Sequence, residues 1–264
     1  MLTVKDILDA LPELAAPSMK EEWDNVGLLC GRSDRRVRRA LVALDPSMDA
    51  AREAHGLGCE LLLTHHPAIF GKRSDVADGD PAGRTLLFLI ENGISAVNLH
   101  TNLDSAPGGV NDCLAAALGL TGLSVLVPAG TDGQGRAYGL GRVGSLPEET
   151  ALADFLRFVK ERLSCGGVRY ADGGRAVRRV AVGGGACAEF LPQVLAAGCD
   201  TFVTADVRYH EFLEAASLGV NLIDAGHYPT ENVVCPRIAD WLRGRFPELE
   251  VRISERHKDA VKFL

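Results

Sequence analysis

The sequence lacks several features that would assign it to a familiar class of protein. Its seven cysteines are scattered along apolar segments, and no two of them form a CxxC pair. This pattern predicts neither a disulfide framework nor a thiolate zinc site. No apolar run reaches the roughly 18 residues that a transmembrane helix needs, and no secretory signal pattern opens the chain. We therefore expect a soluble, unsecreted, cytoplasmic protein.

The sequence also has few aromatic residues, which make up 6% of it, and no excess of basic residues, since the formal net charge is −7. An acidic chain of this kind makes nucleic acid the least favoured partner. The basic cluster at Arg35, Arg36, Arg38 and Arg39 is more often a solvated turn. No membrane partner is expected either. The chain length of 264 residues and the hydrophobic content of 47% suit a compact α/β protein.

Two segments of the chain repeat one order of elements. Residues 38–44 form a strand that leads through a helix to a second strand beginning near Gly58. Residues 178–183 lead in the same way to a strand after Gly198. Each segment reads as a βαβ unit, with glycine just past the helix. We predict an α/β fold of two repeats, residues 1–127 and 128–264, each with a mostly parallel sheet.

The Gly/Pro-rich stretch Pro128–Gly135 is the predicted linker between the repeats. Strands beyond it, at residues 138–146 and 249–253, would interlock the repeats if they paired with the opposite half. The remaining predicted helices are residues 4–11, 86–92, 110–118, 148–163, 211–217 and 232–243.

A buried strand ends abruptly in the dipeptide His65-His66 and then Pro67. The continuous apolar run before it predicts a strand of a parallel sheet that is covered on both faces. Ligands bind at the carboxyl edge of such sheets. Two imidazoles fixed there offer nitrogen donors to one metal ion or to two neighbouring ions.

Other strand ends carry the same kinds of side chain. His227 and Glu231 are four residues apart, a spacing that brings them to one face if a helix begins early. Asp104 lies on a predicted loop and could bridge two ions. Each residue alone has an ordinary structural interpretation, but if the two repeats face each other these groups converge on one metal cleft. The residues are His65, His66, His100, Asp104, Asp206, His210, His227 and Glu231.

Three further features receive weaker interpretations. Gly183–Gly185 follow a strand and precede a helix, but they lack the lysine and spacing of a P-loop, so a tight turn is favoured over a phosphate cradle. His55 and His257 are interpreted as solvated residues without a role.

Four motifs resemble those of the Nif-three-like dinuclear metal-centre family, some members of which carry the name of type-two homologues of GTP cyclohydrolase I. They cover nearly the whole chain: residues 22–28 (EWDNVGL), 63–70 (LTHHPAIF), 100–104 (HTNLD) with 109–112 (GVND), and 226–231 (GHYPTE).

The resemblance implies that His65, His66, Asp104, His227 and Glu231 are metal ligands. It also implies a homohexameric ring of chains built from two intertwined three-layer α/β/α repeats. One departure lies at residues 204–206, which read Thr-Ala-Asp where many relatives look like Thr-Gly-Glu. Asp206 and His210 are therefore predicted to support the ligands or to face a substrate.

The resemblance implies two divalent ions per chain. Mixed nitrogen and oxygen ligands suit zinc, iron or manganese, and such ions predict metal-assisted hydrolysis of a small-molecule substrate. His65, His66 and His227 would supply nitrogen, Asp104 and Glu231 would bridge or cap, and His100 or His210 would transfer protons. GTP or a related nucleotide is the leading nominee as substrate. A non-catalytic scaffold, metallochaperone or regulatory protein, and a nucleic-acid-associated ring, remain the alternatives.

Overall fold

A computed structural model describes residues 1–264. Its chain forms two compact units, of which unit 1 comprises residues 1–106 and 235–258 and unit 2 comprises residues 107–234 and 259–264. The chain therefore passes from unit 1 into unit 2 at residue 107, returns to unit 1 at residue 235 and enters unit 2 again at residue 259. The division into repeats at residues 127 and 128 concerns the duplicated sequence and stays a prediction.

Helices and strands are interspersed along the chain, with several pairs of strands or of helices in direct succession. None of the helices combines the length and the apolar character needed to cross a bilayer. In chain order, the elements are α1 (Val4–Ala10), β1 (Gly27–Cys30), β2 (Arg39–Ala43), α2 (Met48–Gly56), β3 (Leu61–Thr64), α3 (Pro81–Glu91), β4 (Ser95–Asn98), α4 (Thr101–Ser105), α5 (Val110–Ala117), β5 (Thr121–Thr131), β6 (Ala137–Thr150), α6 (Leu152–Arg162), β7 (Arg169–Ala171), β8 (Val177–Val182), α7 (Leu191–Ala196), β9 (Thr201–Thr204), α8 (Tyr209–Ser217), β10 (Asn221–Asp224), α9 (His227–Glu231), α10 (Val234–Arg245) and β11 (Glu250–Ile253).

The sheet of unit 1 has five strands in the order β1-β4-β3-β2-β11. Strands β4, β3, β2 and β11 are parallel, and β1 is antiparallel to β4. All four residues of the central strand β3 are buried, as its unbroken apolar sequence predicts. Because β2, β3 and β4 run in the same direction, the residues that follow them, Leu44, His65 and Leu99, lie at one edge of the sheet.

Local sequence signals set several helix starts in unit 1. Thr3 and Asp6 form a capping box at α1, and Ser47 caps α2. Helix α3 begins at Pro81, earlier than the predicted Leu86, because Asp80 caps it and proline suits its first position.

Strand β11 brings a late part of the chain into the sheet of unit 1, where it pairs with β2. The next residues are held by the Glu53 carboxylate of α2, which accepts hydrogen bonds from Ser254 Oγ at 2.5 Å and from the amides of Glu255 and Arg256 at 2.9 and 3.1 Å. Burial raises the pKa of Glu53, but these hydrogen bonds outweigh it and the pKa lies below its ordinary value. Strand β11 and the residues after it therefore belong to unit 1 together with β2, and the interlocking of the two repeats stays a prediction.

The sheet of unit 2 has six strands in the order β5-β6-β8-β9-β10-β7. Strands β8, β9 and β10 are parallel, and the other pairings are antiparallel. Phe155 and Phe202 are the largest fully buried side chains. The buried Arg142 guanidinium donates two hydrogen bonds of 2.9 Å to the Asp112 carboxylate. The α/β class and its two repeated units with mixed sheets are confirmed.

Two boundaries predicted for unit 2 are wrong. Residues 128–131 are not a linker but the end of β5, which forms a long hairpin with β6. Pro128 is accepted because β5 is an edge strand and its register shifts between Pro128 and Gly130. Residues 148–150 are not helical, since β6 continues to Thr150 and α6 begins only at Leu152.

Candidate metal centre

Three histidines of unit 1 form one group at the carboxyl edge of its sheet. His65 and His66 follow β3 and His100 follows β4. One ring nitrogen of each lies within 4.8 Å of one ring nitrogen of each of the others. His65 is fully buried and the other two are partly buried. Such a group of nitrogen donors could hold a metal ion.

The orientation of His65 and His66 is fixed through their Nδ1 atoms. His65 Nδ1 lies 2.8 Å from the carbonyl oxygen of Leu99, and His66 Nδ1 lies 2.6 Å from Asp45 Oδ1. Because these oxygens can only accept, each Nδ1 carries the hydrogen and each neutral ring has its lone pair on Nε2. Metal-ligating histidines in proteins are typically held in this way.

Asp45 was not singled out from the sequence, and it follows β2 at the same edge of the sheet. Its second oxygen lies 2.7 Å from Nε2 of His257. Burial raises the pKa of the Asp45 carboxyl, but the hydrogen bonds from His257 and His66 outweigh burial and lower it well below its usual range. The interpretation of His257 as solvated is wrong, because its side chain is only 11% exposed and contacts Asp45. His55 is exposed, as expected.

Asp24 fixes His100 in the same manner. Asp24 Oδ1 lies 2.7 Å from His100 Nδ1, and Oδ2 accepts from the amide of Thr101 at 3.0 Å and from its hydroxyl at 2.5 Å. Burial raises the pKa of Asp24, yet these hydrogen bonds outweigh burial and bring the pKa far below its ordinary value. Asp24 belongs to the motif at residues 22–28, which had suggested no role for it.

Asp104 adds a carboxylate beside the histidines of unit 1. It lies on the short helix α4, where a loop was predicted. Its Oδ1 is 3.6 Å from His65 Nε2, and its side chain is 13% exposed. An oxygen and a nitrogen atom that could bind a metal ion are therefore adjacent in unit 1.

In unit 2, His227 and Glu231 lie at the two ends of α9, which begins directly at His227 as the four-residue spacing required. His227 Nε2 is 3.0 Å from Glu231 Oε2. His227 Nδ1 lies 2.6 Å from Asp206 Oδ2, so Nδ1 carries a hydrogen and Nε2 is the ring nitrogen that faces the Glu231 carboxylate. His210 lies at the exposed start of α8.

Asp206 follows β9 at the carboxyl edge of the sheet of unit 2. Its φ of +54° lies in the left-handed region, which aspartate enters more readily than most residues. This backbone conformation accompanies the contact of its carboxylate with the His227 ring. The Asp206 carboxylate thus holds the His227 ring in place.

We expect Asp206→Asn to weaken zinc binding by about tenfold or more, as loss of a carboxylate that orients a ligating histidine commonly does. The affinity is measured by isothermal titration calorimetry on protein stripped of metal. Asp154→Asn is the matched control, because Asp154 is an exposed aspartate that pairs with Arg157 on α6. If the two variants bound zinc with equal affinity, Asp206 would have no role in the proposed metal centre.

The turn Gly183–Gly185 approaches the ligands of unit 2 closely. Gly184 N donates to Asn111 Oδ1 at 2.9 Å, and Gly185 N donates to Thr230 Oγ1 at 3.1 Å. These two amides are used within the protein, which supports a tight turn over a phosphate cradle. A Cβ atom on Gly185 would lie 2.2 Å from Glu231 Oε1. Glycine at this position therefore makes room for the Glu231 carboxylate.

Taken separately, the two units define a duplicated α/β protein with histidines and carboxylates at the ends of parallel strands. A family model described as Duf34/NIF3 (NGG1p interacting factor 3) matches residues 2–260. The chain belongs to this family.

Similar proteins agree with this assignment. A protein of Clostridium perfringens named GTP cyclohydrolase 1 type 2 homolog is 31% identical over the whole of both chains. One of the same name from Streptomyces coelicolor is 40% identical over 88% of this chain and 82% of its own. The crystal structure of a Bacillus cereus protein related to NIF3 covers all of both chains with a TM-score of 0.93 and 25% identity.

Proposed function

We propose that this protein is a metal-dependent hydrolase that binds two divalent ions, zinc, iron or manganese, per chain. Its ligands are His65, His66 and Asp104 in unit 1 and His227 and Glu231 in unit 2. The observation that carries the proposal is the shared anchoring of the imidazoles. Each of these histidines has Nδ1 on an oxygen acceptor, which leaves Nε2 as the donor atom.

The residue types fit divalent ions of this kind. Imidazole nitrogen and carboxylate oxygen together suit zinc, iron or manganese, and thiolates are absent from the group. Bound ions lower the pKa of water toward neutrality and so supply a nucleophile for hydrolysis. Asp104 and Glu231 add negative charge beside the imidazoles, which favours cation binding.

His100 is the proposed residue for proton transfer in unit 1. Its ring lies beside His65 and His66, with centroids 5.3 and 5.5 Å away. The Asp24 carboxylate at Nδ1 fixes the orientation of the ring, so that Nε2 is the atom that would take up or release the proton. His210 is a second candidate for the same task, from an exposed position near Asp206 in the sequence.

GTP or a related nucleotide is the first substrate to test, because relatives carry the name GTP cyclohydrolase 1 type 2 homolog. Protein stripped of metal is reloaded in turn with iron, manganese and zinc, and product formation from nucleotides and other small metabolites is followed by mass spectrometry. We expect turnover with at least one metal and a loss of more than a hundredfold in His65→Ala. Activity that survives in that variant would contradict the proposal.

A second candidate function is metal binding without catalysis. It is favoured by the burial of two proposed ligands, since His65 is 0% and Glu231 is 4% exposed, and closed sites are typical of structural metals. In that case metal removal would lower the thermal midpoint while no substrate is turned over. The expected homohexamer is tested on the same samples by sedimentation equilibrium, which would give six times the chain mass.

A further inference from the structure

Two large aromatic side chains are exposed together on unit 1. Trp23 is 60% exposed and Phe70 is 69% exposed. Their ring centroids are 5.8 Å apart and their planes meet at 55°. A single exposed aromatic residue is ordinary, but a contacting pair of this size is typical of a surface that binds something. We refer to Trp23 and Phe70 as the aromatic platform.

The aromatic platform borders the histidine group of the same unit. The Trp23 and Phe70 rings lie 6.0 and 6.3 Å from the His100 ring, both in near edge-to-face orientation. His100 in turn has a ring nitrogen within 4.8 Å of those of His65 and His66. A molecule lying on the platform therefore has its edge at the proposed metal ligands.

Hydrogen bonds fasten the two segments that carry the rings. Asn25 Nδ2 donates to the carbonyl oxygen of Ile69 at 3.1 Å, which joins the segment after Trp23 to the segment before Phe70. Asn98 at the end of β4 donates to the carbonyl oxygen of Asn25 at 2.9 Å. The backbone beneath both rings is thus fixed to the sheet before any ligand arrives, which reduces the entropy lost on binding.

The same segment is also fastened at the base of His100. Lys20 Nζ donates to the carbonyl oxygen of Asp24 at 2.9 Å, and Glu21 N donates to Thr101 Oγ1 at 2.9 Å. Together with the Asp24 carboxylate on His100, these contacts hold the platform and the histidine group in one arrangement. The motif at residues 22–28 and the end of the motif at residues 63–70 therefore carry the platform and hold it beside the histidine group. Metal ligation alone gives these residues no such role.

The chemistry of the aromatic platform selects a planar ligand. Its two exposed side chains are aromatic rings, and the only polar group on them is the indole N–H. Aromatic faces bind heteroaromatic bases by stacking, with little dependence on which base is present. Charged side chains, Glu22 and Lys72, are exposed within two residues of the rings. The two rings of the platform are flanked by these charged side chains. The area of the apolar patch that they form is therefore far smaller than the roughly 800 Å² that each partner buries in a stable protein interface.

We propose that the aromatic platform is the stacking site for the purine or similar heteroaromatic part of the substrate, whose reacting portion lies at His65, His66 and His100. This inference rests on the proposed function, because the histidine group defines where the reaction occurs. It assigns the substrate to planar heteroaromatic compounds, such as nucleosides and nucleotides. The platform positions the substrate and takes no part in proton transfer.

The test is the binding of guanosine to zinc-loaded full-length protein, measured by calorimetry, with ribose as the probe that lacks a planar ring. We expect guanosine to bind and ribose not to bind. Trp23→Ala and Phe70→Ala should each weaken guanosine binding by about tenfold, a typical effect of losing one stacking ring. Trp23→Phe retains a ring and should stay within about threefold of wild type. Phe158→Ala, which removes a partly exposed phenylalanine of α6, should bind as wild type does.

Zinc content measured on the same samples keeps this proposal separate from the metal proposal. Trp23→Ala should retain the wild-type zinc content, whereas His65→Ala should not. If His65→Ala retained its zinc but the platform variants bound guanosine weakly, only the ligand assignment would fail. Absence of guanosine binding to wild type at millimolar concentration would overturn the platform proposal, as would affinities of the platform variants equal to that of Phe158→Ala. A lower oligomeric mass of Trp23→Ala in sedimentation would also overturn it, because a second copy of the chain would then cover the rings.

Discussion

Replacing His65 by alanine should lower the metal content of the purified protein from the proposed two divalent ions per chain to fewer than one. The imidazole of His65 is fully buried, and its Nδ1 is held by the Leu99 carbonyl. Its Nε2 lies 3.6 Å from Asp104. We expect the zinc affinity to fall by at least about a hundredfold, at the upper end of what loss of an oriented ligand produces.

The metal content is measured by inductively coupled plasma mass spectrometry after dialysis against a weak chelator. His55→Ala is the matched control, because His55 is exposed on α2 and contacts only the edge of Phe88. His65→Gln keeps more of the side-chain volume and shows whether a cavity, rather than a lost donor, accounts for the result. Two ions per chain in a folded His65→Ala protein would refute the assignment of His65 as a ligand.

Substitution of Gly185 by alanine should damage the centre without removing any ligand. A Cβ atom there would lie 2.2 Å from Glu231 Oε1 and 3.2 Å from the His227 ring. Because the first distance is far below van der Waals contact, the Glu231 carboxylate must move. We expect zinc affinity to fall by on the order of a hundredfold, as when supporting groups of a metal site are disturbed. The φ of +68° adds about 1–2 kcal/mol of backbone strain.

The variant Gly198→Ala separates the effect of backbone strain from the effect of the steric clash with Glu231. Gly198 has a nearly identical φ of +69°, but a Cβ atom added there would meet nothing within 4 Å. Both variants should therefore lose similar stability in urea unfolding from backbone strain, and only Gly185→Ala should lose metal. If Gly198→Ala lost metal to the same extent, the effect would come from general destabilisation and not from the Glu231 carboxylate.

Much of this arrangement follows from strand ends, which the sequence marks clearly. The apolar run before His65 could only be a covered strand, so the two imidazoles had to lie at the edge of a sheet. The spacing of His227 and Glu231 predicts their contact on one helical turn, and the structure has that turn. These features depend on residues that are close together in the sequence. Patterns of this kind can be recognised from a single sequence.

The groups that orient the imidazoles could not be predicted with the same certainty. Asp24 and Asp45 lie 76 and 21 residues from the histidines they contact, and no local pattern connects such pairs. His257 was misread for the same reason, since its partner Asp45 is supplied by another part of the fold. The β5–β6 hairpin was missed because glycine and proline on an edge strand resemble a linker.

The pairing of β11 with β2 also constrains how the protein can be made. Residues 39–42 pair with residues 250–253, so the outer edge of β2 has no neighbouring strand until residues 250–253 have left the ribosome. An open strand edge of this kind can pair with other chains. Prematurely terminated products, and nascent chains during slow translation, should therefore be the aggregation-prone forms that depend on chaperones.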